Sequence, residues 1–431
     1  MRTGIAQSSG IPDRPALLPS RYYTRALILL DVHLTSEEEK ILAGEQGEGR
    51  RKAMELLVAL GDIYGAERLI PIASAQVSGA SFKTIGDAGL RFLEDFSREA
   101  KVTVRSSLNP LGLDLVRWKA MGIDERFRER QARIVSAYRS LGVEPLYTCT
   151  PYLSGNRPRK GQHIAWAESS ATIFANSVLG AMTNREGGPS ALAAGIVGKT
   201  AEYGLHLKEN RKPRVRIDLE EVPRGLVPLA GHVVGKLAGN RVPYITGLDV
   251  GPDGHKAFGA AMAASGAVSI YAYPGQPWKA DLSEVREKIS LPLSELKDAE
   301  ESLAGGDDWD LATIGCPHCS PAELRYLASR LKDKKPSGRC DVWFCTSRHA
   351  YASCPREVAV LKRFGKVLCD TCMVARRLRP CTPGPPPTPG RRWSTCRPWG
   401  SRRRPSGPPT RCWGRYHDNQ GEEDPRGMRP R

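Results

Sequence analysis

Long apolar runs are missing from this 431-residue chain. The longest near the start, Ala26-Leu27-Ile28-Leu29-Leu30, falls far short of the roughly 20 residues of a membrane-spanning helix. No membrane partner is expected. Residues 1–25 also lack the basic region, extended apolar core and small-residue cleavage site of a secretory signal, so the chain reads as cytoplasmic. No short internal repeat is present, which argues against a solenoid. Lysine is absent from residues 376–431, and this locates the charge: 14 arginines against 4 acidic residues give that segment +10 of the overall +17. The remaining body is mildly basic, which suits a small anionic substrate as well as a polyanion. Nucleic acid is therefore not expected as a partner. Hydrophobic content of 40% and charged content of 26% are those of a soluble globular protein, long enough for two or three domain units.

Strand-like and helix-like segments alternate along the chain. Residues 1–32 read as a poorly structured extension. A helix starts after Leu34, with Thr35 or Ser36 as N-cap and Glu37-Glu38-Glu39 in the first turn, where the helix dipole favours anions. Segments 68–74 and 101–107 have strand character around a helix near 85–97, and a long helix over 124–141 leads into a strand ending at Cys149. Small-residue helices follow over 169–200, then a polar connector near 208–224 separates two halves. In the second half, 243–248, 267–273, 310–316, 341–346 and 366–370 read as strands, with helices near 321–332 and 356–364. The alternation predicts an α/β architecture with largely parallel sheets over residues 33–375. The tail 376–431 holds 12 of the 33 prolines and no periodicity. It reads as a disordered Pro/Arg-rich segment or as a G+C-rich gene translated in the wrong frame.

Eight of the eleven cysteines precede that tail. Reducing conditions disfavour structural disulfides, so metal or catalytic roles come forward. The pairs Cys316/Cys319 and Cys369/Cys372 have CxxC spacing and raise a zinc site. The 49 residues between them are too many for an ordinary zinc ribbon, and a zinc-containing nucleic-acid-binding protein is the remote alternative. A different trio is chemically more coherent. Cys149, Cys316 and Cys372 each fall at or just past the carboxyl end of a predicted strand, the edge where α/β proteins gather ligands. Three thiolates there would bind an iron–sulfur cluster and leave one iron open to substrate, since full ligation takes four cysteines. Cys345 and Cys369 lie inside strands and read as small buried hydrophobes, whereas Cys319, Cys340 and Cys354 stay unassigned. Gly198-Lys199-Thr200 is no phosphate-binding loop, because Ala193 stands where the pattern needs glycine and a helical run precedes it.

The stretch 163–206 threads Glu168, Ser169, Asn176, Asn184, Arg185 and Glu186 between small residues, with Gly187-Gly188 next to the polar cluster. Glycines admit close backbone approach, and Asn, Arg and Glu together recognise a small anion. A helix cap and a salt bridge on a loop would give the same pattern.

These residues resemble the aconitase X family. The matching phrases are LTSEEEKILAGEQGEG, LVALGDIYGAERLIPIASAQVSGASFKTIGDAGLRFLEDF, TCTPY at 148–152, HIAWAESS through YGLHL, IGCPH at 314–318, CTSR at 345–348 and CDTC at 369–372. The resemblance runs from about residue 33 to 375. It implies an aconitase-like multi-layer α/β fold and an iron–sulfur cluster, expected as four-iron four-sulfur. It also implies a separate small subunit that supplies a catalytic serine, so the base is not expected in this chain. The implied reaction dehydrates (R)-5-phosphomevalonate to trans-anhydromevalonate 5-phosphate in an archaeal route to isoprenoids. Dehydration of hydroxyproline by a related member is the runner-up. Phosphate and carboxylate need cationic or amide donors, for which Asn184, Arg185, Ser347 and Arg348 are the candidates. Ser74, Ser78, Asn109 and Glu168 sit in matching motifs as further substrate-binding candidates, although turn or cap roles suit Ser74 and Asn109 equally. For His163, His206 and His318 a buried hydrogen-bonding role is favoured over catalysis. The family continues past the DTC motif with a further ordered segment, whereas this chain runs into its Pro/Arg tail.

Overall fold

The computed structural model describes residues 32–304, 311–336, 338 and 340–374. The expected extension, Val32 excepted, and the expected tail lie outside the described residues. Three successive units each build their own apolar core. In the first, strands β1 (Leu69–Pro71), β2 (Ser74–Val77), β3 (Arg105–Leu108), β4 (Ala165–Trp166) and β5 (Lys199–Ala201) make two sheets. β2 is central, parallel to β3 and β4, while β1 and β5 form an antiparallel ribbon. The single strand expected over 68–74 is thus two short ones serving different sheets. Thr35 caps the first helix, Ser36–Leu42, in a reciprocal capping box with Glu38. Asp124 caps Glu125–Ser140 by accepting from the Phe127 amide. The helix Gly188–Val197 is almost wholly buried, and its small side chains let it press onto β2 and β3. A Cβ at Gly195 would lie 2.7 Å from the Ser106 hydroxyl oxygen, so only glycine allows this approach.

The second unit has the parallel order β7-β6-β8, from β6 (Val215–Leu219), β7 (Pro243–Thr246) and β8 (Glu287–Leu291). Its central strand falls inside the segment expected to be a polar connector. Val215, Ile217 and Leu219 point into the core and Arg216 and Asp218 away from it, the period-two pattern of a half-buried strand. The strand expected at 267–273 is not one, because only Ala272 bridges, to Tyr244. The helices Val227–Ala238 and Pro252–Gly266 pack against one another beside this sheet.

The third unit has the parallel order β11-β10-β9, from β9 (Leu311–Cys319), β10 (Asp341–Thr346) and β11 (Lys366–Cys369). Helices Pro321–Leu331 and Pro355–Leu361 complete its core. A separate apolar cluster joins it to the first unit, with Leu113, Ile123 and Phe127 against Trp343 and Leu368. Among the described residues no helix is long and apolar enough to cross a membrane.

Candidate active site

The ladder between β9 and β10 breaks at one place, and that break presents a thiol. Phe344 pairs with Ile314 and Thr346 with Cys319, so one residue of β10 opposes four of β9. Gly315, Cys316, Pro317 and His318 are therefore pushed out of register, as in an enlarged β-bulge. Cys316 does not lie past the strand end, as expected, but on this excursion within it, where it is exposed. Gly315 has φ +107°, and a Cβ there would sit 2.1 Å from the Cys345 carbonyl oxygen. The Cys316-Pro317 peptide is cis.

Cys372 follows β11, as expected, and is clamped to the first unit. Its amide donates to the Leu111 carbonyl at 3.1 Å, the Leu111 amide donates to the Asp370 carbonyl at 2.6 Å, and the Cys369 amide donates to Asp114 at 2.9 Å. Cys149 lies on a loop of the first unit rather than at a strand end, since only Glu144 of the preceding segment bridges, to Ser107.

His318 ties these three loops together. Its backbone N–H donates to the Cys149 sulfur at 3.2 Å. Its ring Nε2 lies 2.9 Å from the Thr371 carbonyl oxygen, and its Nδ1 lies 3.0 Å from the Thr148 hydroxyl. A carbonyl only accepts, so Nε2 carries the proton and Nδ1 accepts from Thr148. Thr148 and Thr371 are the immediate neighbours of Cys149 and Cys372, and His318 itself is two residues from Cys316. Burial lowers the imidazole pKa to about 4, keeping it neutral.

The donor set suits a cationic inorganic centre. Burial pushes the Cys149 thiol well above its ordinary pKa, and Glu168, Cys316 and Cys372 add to this through unfavourable charge. The His318 N–H opposes them. Metal ligation requires thiolates, so three neighbouring thiols facing a carboxylate call for added positive charge. Among the described residues no three metal-ligating side chains converge at single-ion distance; a cluster is larger than an ion and spreads its ligands over several metals. In each CxxC pair one thiol, Cys316 or Cys372, is at least partly exposed and the other is buried. Cys319 and Cys369 are buried with pKa values pushed up by burial to about 12, packed like the fully buried Cys345.

The polar candidates divide into two groups. Glu168 and Asn109 form one constellation beside Cys149: the Asn109 side-chain amide donates to Glu168 at 2.6 Å, and the Gln76 side-chain Oε1 accepts from the Glu168 backbone amide at 3.3 Å. Arg348 is half-exposed, and its Nη2 contacts both Asp114, at 3.3 Å, and Asp370. Burial raises Asp370 to about 6. Most of the others have structural partners. Ser74 accepts from the Trp166 indole at 3.1 Å, and Ser347 caps the helix Arg348–Ser353 through the Ala350 amide. Asn184 is buried between the Tyr203 carbonyl and the Leu205 amide. Ser78 is half-buried with its carbonyl against Gly188, and Arg185 is exposed. His163 and His206 face each other through their Nδ1 atoms at 2.9 Å.

Sequence reading missed Lys256. It is 2% exposed, yet burial is outweighed by Glu323 and Asp253 and its pKa stays raised. Lysines are read as surface residues unless a partner is known, and these partners are in part 67 residues away.

Family models for the aconitase X first, second and third domains match residues 31–209, 213–301 and 309–384. The chain belongs to the aconitase X family. It is 50% identical over 362 residues to the phosphomevalonate dehydratase large subunit of Methanocaldococcus jannaschii, covering 80% of this chain and 89% of that one. A protein of the same name from Thermococcus kodakarensis is 45% identical over 81% of this chain and 90% of its own. The cis-3-hydroxy-L-proline dehydratase of Hypocrea jecorina is 32% identical, over 82% of this chain and 63% of its own. The crystal structure of holo-form aconitase X from Thermococcus kodakaraensis superposes with a TM-score of 0.75 at 45% identity, over 80% of this chain and 90% of that one. The likeness to this member of the aconitase X family agrees with the α/β architecture of parallel sheets found in all three units.

Proposed function

We propose that this chain is the large subunit of a phosphomevalonate dehydratase, a hydro-lyase that converts (R)-5-phosphomevalonate to trans-anhydromevalonate 5-phosphate for isoprenoid synthesis. The observation that carries the reading is the His318 knot, which draws the loops of Cys149, Cys316 and Cys372 together in a chain 50% identical to large subunits of that name. Those three thiols would hold an iron–sulfur cluster, with four irons and four sulfides as the expected form. Bound there, the cluster supplies a Lewis acid for the tertiary hydroxyl that leaves.

The chain's own groups bind and orient. Arg348, braced by Asp114 and Asp370 through one nitrogen, offers the rest of its fork to a phosphate or carboxylate. Asn109 holds Glu168 beside Cys149, where the carboxylate can accept a substrate hydroxyl. Asn184, Ser74, Ser78 and Ser347 shape the surrounding backbone, and the exposed Arg185 remains a candidate for the anionic group. The base for the α-proton is assigned to a small-subunit serine. A reducing, cytoplasmic setting would keep these cysteines available as ligands.

The test is anaerobic co-purification with the small subunit, iron and sulfide analysis, and parallel dehydration assays. Turnover of (R)-5-phosphomevalonate with iron and labile sulfide is the expected result. Turnover of cis-3-hydroxy-L-proline instead, or zinc in place of iron, would refute it.

A further inference from the structure

The second unit contributes no cysteine to the candidate centre, but it sends one buried cation to it. Lys256, on the helix Pro252–Gly266, donates to the His318 carbonyl at 3.0 Å and pairs with the Glu323 carboxylate. Asp253, one turn earlier on the same helix, lies 3.7 Å from the ammonium and accepts from the Ser320 hydroxyl at 2.7 Å. Glu323 in turn accepts from the Ser320 amide at 2.8 Å, and its own amide donates back to Ser320 at 3.1 Å. The excursion 315–318 and the helix that follows are thus pinned on one side by Lys256 and Asp253, and on the other by Thr148 and Thr371.

His318 connects the two sides. Its amide contacts the Cys149 sulfur while its carbonyl contacts Lys256, so the ammonium is two hydrogen bonds from a cluster thiol. Iron–sulfur potentials respond to hydrogen bonds at sulfur and to nearby charge. A cation this buried, with two carboxylates around it, costs desolvation that apolar packing would avoid. Structural need alone leaves that cost unexplained.

We propose that Lys256 is a positioning residue for the iron–sulfur centre, fixing the Cys316–His318 excursion and setting the local charge the cluster experiences. The inference rests on the cluster reading above. It predicts opposite electrostatic shifts from two variants that both leave side-chain volume nearly unchanged. Lys256→Met removes the cation and leaves two carboxylates, so the cluster becomes harder to reduce and its midpoint potential falls. Glu323→Gln keeps the capping box but removes one negative charge, so the potential rises. Lys256→Met also frees the excursion, and iron release to a chelator accelerates by about tenfold, as expected for loss of one charge-assisted hydrogen bond. Lys256→Arg restores the charge and reverses the fall in potential.

The measurement is redox titration and chelator challenge of the anaerobically purified full complex. If wild-type protein carries no iron, the cluster reading fails and the inference with it. If wild type carries iron, but both variants keep its potential and release rate, the assignment of Lys256 alone is overturned. Should Lys256→Met not fold, Glu323→Gln decides: an unchanged or lowered potential refutes the proposal.

Discussion

The second and third units are the same construction with different outcomes. Each is a three-stranded parallel sheet beside helices, with a central strand flanked by two partners. In the second, the register from Val215 to Leu219 runs unbroken against β8, and the sheet's polar groups consume one another: Asp218 meets Arg216, Lys288 and Thr246. In the third, the register slips by three residues at Cys345, and the displaced backbone carries Cys316 and His318 toward the first unit. Regular pairing leaves nothing over for chemistry. The irregular strand exposes the Cys316 thiol and aims the buried His318 ring at the neighbouring cysteine loops.

Matched substitutions sharpen that contrast. The largest effect is expected at the tightest positive-φ glycine of each unit. A Cβ at Gly315 would lie 2.1 Å from the Cys345 carbonyl oxygen, and one at Gly247 2.0 Å from that of Leu219, both at positive φ. Gly315→Ala and Gly247→Ala should each destabilise by at least about 2 kcal/mol, seen as a lower midpoint in urea. Only Gly315→Ala should also deplete bound iron. Equal iron in the two purified variants would break the comparison.

Next comes the buried histidine of each unit. His318→Ala takes one partner from the Thr148 hydroxyl, which keeps Thr150, and strands the Thr371 carbonyl, a loss of roughly 2–4 kcal/mol, and lets the cysteine loops separate. His255→Ala in the second unit loses one partner, the Tyr271 hydroxyl at 2.9 Å, for roughly 1–2 kcal/mol. Thermal melts paired with iron analysis should show His255→Ala less stable but still loaded, and His318→Ala depleted.

The smallest effect is on pH dependence. Burial lowers His206 to about 3 and His255 to about 4. The unfolded chain takes up protons there first, so stability should fall as pH drops below about 6.5, the unfolded histidine value. Glu186 has the reverse sign. It is buried with only the Ser190 and Thr200 hydroxyls as side-chain partners, and burial raises its pKa. Its contribution is full below the unfolded carboxyl value and lost as pH rises through the raised one. Glu186→Gln should therefore remove the loss of stability that sets in as pH rises above the ordinary carboxyl range. An unaltered profile over that rise would show that Glu186 folds as the carboxylate.

Much of the scaffold was legible because its signals are local. The cap at Thr35, the helix that starts near residue 124 and the small-residue helix ending at Val197 are written in neighbouring residues, and so is the burial of Cys345 and Cys369. The central strand Val215–Leu219 was hidden because Arg216 and Asp218 made a half-buried strand look like a linker. Segment 267–273 has strand composition, but only Ala272 finds a partner. Cys316 was identified as a cysteine of interest but misplaced, because its excursion depends on the shorter span of β10 opposite it. The partners of His318 lie 170 and 53 residues away in sequence, and no periodicity carries that information.

The central claim is that three thiols from the first and third units share one iron–sulfur centre. Iron and acid-labile sulfide should be quantified in anaerobic wild-type protein and in Cys149→Ser, Cys316→Ser, Cys372→Ser and Cys345→Ala. The account predicts that each serine variant loses most of both elements, while Cys345→Ala retains them. Full iron and sulfide in any of the three serine variants would contradict it.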